Sequence, residues 1–160
     1  MVLVGVGNAY RGDDAVGRRV ARRIRDDGLT DVIVREESGE GTELMEVWKD
    51  AEAVILVDAV QSGDVPGSIH RFDAQAQRIP AKFFHYSTHA FSVAEAVELA
   101  RALDQLPRRL ILYGVEGKDF AAGEGLSREV ADALEELISR VRQEIQAIRA
   151  DFRAGKESHA

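Results

Sequence analysis

Short apolar runs alternate with amphipathic stretches along the whole chain. The first run, VLVGV at 2–6, ends in glycine and reads as a buried strand. A Gly/Asp-rich turn follows. Val16, Val20 and Ile24 then recur at i, i+4 and i+8 among arginines, the pattern of an amphipathic helix. Asp13 or Asp14 is its expected N-cap and Gly28 its stop. VIVRE at 32–36 predicts a second strand, and TELMEVWKDA at 42–51 a helix with Leu44, Val47 and Trp48 on one face. AVILVDAV at 53–60 is continuous apolar sequence broken by one charge, Asp58, and is the most buried-looking strand.

Pro66-Gly67 predicts a turn, and SIHRFDA at 68–74 alternates like an edge strand, antiparallel to the rest. Residues 75–91 carry no clear period. SVAEAVELARALDQL at 92–106 predicts a helix opening on Ser92, with Val93, Val97 and Leu99–Ala100 inward. RLILYGVEG at 109–117 is another buried strand. Ser127 opens a long helix with Val130, Leu134, Leu137, Ile138, Val141, Ile145 and Ile148 at helical spacing. Residues 1–150 read as one domain, and 151–160 as a polar, frayed tail. Strand–helix alternation throughout means an α/β sandwich around a mostly parallel sheet.

Composition narrows the function. The net charge is -7, from 28 acidic and 21 basic side chains, which disfavours a nucleic-acid partner. The absence of cysteine excludes disulfides, thiolate metal sites and a thiol nucleophile. No stretch approaches the ~18–20 apolar residues of a membrane span, and Met1 leads straight into the first strand without a basic leader. The expectation is a soluble cytoplasmic protein.

The turn GVGNAYRGDDAVG at 5–17 poses the chemical question. Gly5-Val6-Gly7 after a strand invites comparison with a dinucleotide fingerprint, but the third glycine position is Tyr10 and the turn is too long. Two carboxylates at a helix start would also repel a pyrophosphate. Carboxylates there can instead hold a cation. In an open α/β sheet, ligands collect beyond the carboxyl ends of the strands. Asp58 is delivered to that edge by the 53–60 strand, and HYSTHAF supplies His85 and His89 before the next helix. His89 lies nearer that helix, whose N-terminus favours neutral, metal-binding imidazole. Asp14, Asp58 and one histidine form an O, O, N set suited to nickel or zinc. Each also has a structural reading: Asp14 as a cap, Asp58 as a paired strand charge, His89 as a hydrogen-bonded histidine.

These motifs, with LVDAV, STHAFSVAEAVELA, LYGVEG and GEGLSREV, resemble the hydrogenase maturation protease family over residues 2 to 145. The resemblance implies a three-layer α/β/α sandwich around a twisted, mostly parallel sheet of about five strands. It implies an endopeptidase that trims the C-terminal extension from a nickel–iron hydrogenase large-subunit precursor. The nickel is carried by the substrate, and the free protein is expected to be able to hold another divalent ion. Matched position by position, the metal-recognising residues fall on Asp14, Asp58 and His89, and Asn8, Asp13, Gly41 and Thr42 become expected substrate contacts. The sequence departs from the family pattern in having Asp14 where some relatives have glutamate. It also has ESGEGT at 37–42 in place of an Asp-Gly-Gly-Thr loop.

No serine sits in a recognisable triad; Ser38, Ser62 and Ser87 read as turn or cap residues. The remaining nucleophile is water, activated either by a metal or by Asp14 or Asp58 as general base. A metal-recognition protein without hydrolysis and a nucleotide-binding module are the competing readings.

Overall fold

A computed structural model describes residues 1–84 and 89–158. Among these, five strands form one sheet in the order β2-β1-β3-β5-β4: β1 (Val2–Val6), β2 (Ile33–Glu37), β3 (Ala53–Val60), β4 (Ile69–Asp73) and β5 (Arg109–Glu116). All neighbours are parallel except β4, which runs antiparallel on the edge beside β5. The helices are α1 (Val16–Asp26), α2 (Gly41–Trp48), α3 (Val93–Ala102) and α4 (Arg128–Ser158).

Period-2 alternation divides the strand side chains between two cores. Val2, Val4, Val54, Leu56 and Leu110 pack with Leu44, Trp48 and Val97 of α2 and α3. Leu3, Ile55, Val57 and Ile111 pack with Val20, Ile24, Leu137 and Ile138 of α1 and α4. Helices thus cover both faces of the sheet, as the strand–helix alternation requires. β1 connects to β2 and β2 to β3 on opposite sides of β1, so the winding reverses between β1 and β3. A crevice opens at such a switch point.

Three local expectations need correction. Neither Asp13 nor Asp14 caps α1. Both lie in a 3-10 turn, Gly12–Ala15, and α1 begins after Ala15 without a side-chain cap. Leu99 points outward and is 40% exposed, because the inner positions of α3 are taken by the small Ala96 and Ala100. Finally, α4 runs on through the supposed tail to Ser158. Arg149 bonds Asp31, and Phe152 packs against the core beneath it, so the helix has a surface to follow beyond residue 150. Gly28 does end α1, with φ +66° in the left-handed region that glycine favours.

Candidate functional site

The parallel register builds the site. Gly5 pairs with Val57, so Asp58 stands level with Val6, the last residue of β1. Asp58 shares a face with Val54 and Leu56, the side that carries α3. It is 7% exposed, at the end of an otherwise apolar strand. Asp14 arrives from the turn after β1. Gly7 makes this possible: its φ of +137° suits glycine, and a Cβ there would collide with the Asp14 carbonyl. The Asp14 carboxylate accepts the Asn8 N–H at 2.9 Å. His89 enters three residues before Ser92, the N-cap of α3, and its ring edge lies beside Gly39.

Asp14, Asp58 and His89 line one cavity of about 530 Å³ at the switch point, with Gly7, Asn8, Tyr10, Arg18, Ser38 and Phe120. Three remote segments are therefore brought to one space. Among the described residues, however, no three carboxylate or imidazole side chains form a ready-made metal cluster. The donors line a wide, open space. His85 and Ser87 lie outside the described residues.

The expected substrate contacts divide. Asn8 lines the cavity. Asp13 does not: it is fully buried and accepts four hydrogen bonds. These come from the N–H groups of Lys118, Asp119 and Ser127 and from the Ser127 hydroxyl, at 2.7–3.0 Å. It is a tether for the loop between β5 and α4. Gly41 is buried under the Phe91 ring and donates its N–H to the Phe91 carbonyl at 2.7 Å. This clamp holds the start of α2 against the segment carrying His89. Thr42 is exposed and gives its N–H to the Glu40 carboxylate, which caps α2. Those two N–H groups, from Thr42 and then Glu43, hold the Glu40 carboxyl below its ordinary range. From this loop it is Ser38 and Gly39 that reach the cavity.

The first turn has little left to offer a phosphate. The N–H groups of Gly7, Asn8, Tyr10, Gly12, Asp13 and Asp14 all donate to acceptors within the protein. A dinucleotide cradle needs such amides unpaired.

Among the wall residues that escaped the sequence reading are Arg18 and Phe120. Arg18 donates its Nε–H to the Gly7 carbonyl at 2.5 Å and faces the cavity. Its i+4 spacing from Asp14 was a usable signal. Phe120 comes from the loop tethered by Asp13, and nothing local in the sequence pointed to it. Ser62 is a turn residue, donating to the buried Glu116 carboxylate at 3.0 Å.

Comparison with known proteins agrees with this architecture. The family model described as hydrogenase maturation protease matches residues 16–144. A protein named as a hydrogenase maturation protease in Methanocaldococcus jannaschii is 30% identical over 156 residues, covering 91% of this chain and 96% of its own. The hydrogenase 2 maturation protease of Escherichia coli is 26% identical, covering 88% and 87%. Among solved structures, the NiFe hydrogenase maturation protease HycI from Thermococcus kodakarensis superposes with a TM-score of 0.67 at 23% identity, covering 89% of each chain. The maturating endopeptidase HybD from E. coli gives 0.65 at 23% identity, covering 89% of this chain and 92% of its own.

Proposed function

This chain belongs to the hydrogenase maturation protease family, and from that premise we propose that it removes the C-terminal extension of a nickel-loaded nickel–iron hydrogenase large-subunit precursor. The observation that carries the reading is the placement of Asp14, Asp58 and His89 around one cavity at the switch point. Carboxylate oxygens and an imidazole nitrogen are a donor set that nickel accepts. A cavity of about 530 Å³ has space for nickel arriving within the substrate, still held by substrate ligands. Asp14, Asp58 and His89 would then complete its contacts, so that only a metallated precursor seats its scissile bond correctly. Binding energy from a remote group is used here for positioning.

Hydrolysis itself adds water across the peptide bond. A carboxylate, Asp14 or Asp58, takes a proton from the attacking water, and the leaving amine takes up a proton as the C–N bond breaks. Asn8, on the same wall, orients the substrate backbone. A cytoplasmic location is part of this proposal. No helix among the described residues is long and apolar enough to cross a membrane.

The test is cleavage of a nickel-loaded precursor followed by mass. Asp58→Asn and His89→Ala should each slow cleavage at least ~100-fold, the usual scale for losing a positioned acid–base or binding group. Both should retain cooperative unfolding. Cleavage at the wild-type rate by either variant would exclude this site. Tight complex formation by wild-type protein without a shortened product would leave recognition but remove the hydrolytic role.

A further inference from the structure

A second groove, of about 250 Å³, adjoins the cavity. Tyr10 and Arg18 line both spaces. The groove adds Arg19 and Arg22 from the outer face of α1, with Glu124 on its wall. The chain as a whole carries -7, yet this surface is cationic. Arg18, Arg22 and Arg25 share a single carboxylate, Glu36, at 3.7, 3.1 and 3.0 Å. Among the described residues Arg19 makes no ion pair. Tyr10 stands beside them 67% exposed. Arg18 is fixed by its bond to the Gly7 carbonyl, so the step from groove to cavity is rigid.

We propose that this groove docks an acidic, extended segment of the protein substrate, its carboxylates on Arg18, Arg19 and Arg22 while the adjoining chain enters the cavity. The proposal rests on the endopeptidase reading. Guanidinium groups offer paired N–H donors in the geometry a carboxylate accepts. One exposed pair is weak, but a row of cations beside a cleft raises the local concentration of an acidic partner and sets its direction. Continuity with the cavity favours a polypeptide over a nucleic acid, because the occupant must deliver a peptide bond to Asp14 and Asp58. The negative charge of the remaining surface opposes a polyanion of nucleic-acid length.

Two measurements test it. In the first, a fluorescent glutamate-rich peptide and its glutamine counterpart are titrated with wild-type, Arg19→Glu, Arg19→Glu/Arg22→Gln and Asp58→Asn protein. The glutamate peptide should bind wild type and Asp58→Asn alike, weaken with salt, and bind the double variant about 10-fold less tightly. The glutamine peptide should bind none of them measurably. Arg19→Glu is the variant that breaks no ion pair, so its fold is secure. In the second, precursor cleavage by Arg19→Glu should show KM raised about 5-fold with kcat within about 2-fold, and Arg19→Lys should restore most of the loss. Equal binding of the two peptides, indifference of binding and KM to the arginine variants, or tighter binding of a single-stranded oligonucleotide would overturn the proposal. Loss of cleavage in Asp58→Asn beside unchanged KM in Arg19→Glu removes the docking groove alone. Undiminished cleavage by Asp58→Asn removes the catalytic reading and leaves the peptide titration standing.

Discussion

Asp13 and Asp14 are adjacent, chemically identical and opposite in fate. The 3-10 turn points Asp13 inward, where four donors from residues 118–127 surround it, and Asp14 towards the cavity. Replacing Asp13 by alanine would leave those donors buried and unpaired. The expected loss is about 3 kcal/mol, several unmet hydrogen bonds at about 1 kcal/mol or more each. Asp13→Asn, which keeps one acceptor oxygen, should lose about half as much. Urea denaturation measures both. Because the tether also holds the loop carrying Phe120, limited proteolysis of Asp13→Ala should cut first near residues 119–125; a protected loop would contradict the tether. Asp14 lines the cavity, and the oxygen that accepts the Asn8 N–H has a counterpart in asparagine, so Asp14→Asn should lower cleavage far more than it lowers the urea midpoint.

The junction of β1 and α1 depends on two glycines. A Cβ on Gly5 would strike the Gly17 carbonyl, and one on Gly17 would strike the carbonyls of Val57 and Val6. The helix therefore lies directly on the backbone of β1 and β3, which sets the height of Asp14 above the cavity. Gly17→Ala gains helix propensity but must push α1 off the sheet. Overpacking of this kind costs about 1–3 kcal/mol, and the displaced turn should lower cleavage more than the stability change alone accounts for. Calorimetry beside kinetics separates the two effects. At α3, Ser92 and Glu95 form a capping box, with the Ser92 hydroxyl donating to Glu95 at 2.5 Å. Burial pushes the Glu95 carboxyl up, but the Ser92 hydroxyl and the backbone N–H groups hold it below its usual range. This box anchors the helix just after His89.

Across the whole molecule, β4, β5 and α4 are joined by one buried carboxylate. Glu144 accepts from Arg71 at 2.7 Å and from the Tyr113 hydroxyl at 2.7 Å. Burial raises the Glu144 carboxyl, yet the Arg71 and Tyr113 donors outweigh it and bring it below its ordinary value. The folded protein then binds this proton less tightly than the unfolded chain. The stabilisation is present above the ordinary glutamate value, about 4.3, and is lost as pH falls through the lowered one. Tyr113 behaves oppositely: burial, and then the Glu144 carboxylate, push its hydroxyl up to about 12. Its stabilisation is complete below the ordinary tyrosine value near 10 and fades as pH rises through the raised one. Glu144→Gln should cost about 2–3 kcal/mol, less than a fully buried pair, because the Arg71 side chain is 44% exposed. The gap in Tm between wild type and Glu144→Gln should begin to narrow as pH falls below about 4.3 and close once pH has passed the lowered Glu144 value, and Tyr113→Phe should flatten the alkaline limb. A constant gap across the acid range would contradict the linkage.

The sequence by itself determined the succession of strands and helices, because alternation of burial is a local property that the periods of 2 and 3.6 record directly. β3 is the clearest case, its bounds coinciding with AVILVDAV, and the antiparallel edge strand β4 was equally legible from its alternation. Asp58 was also visible, since a charge inside an apolar run is costly without a purpose. Only the tertiary structure decided that Asp13 is a buried tether and not a cavity residue, why Gly41 is a clamp under Phe91, and why Arg18 and Phe120 share a wall with His89. Those outcomes depend on contacts between residues far apart in the chain, created when a parallel sheet reverses its winding between β1 and β3. No local pattern of polarity encodes where that reversal brings side chains together.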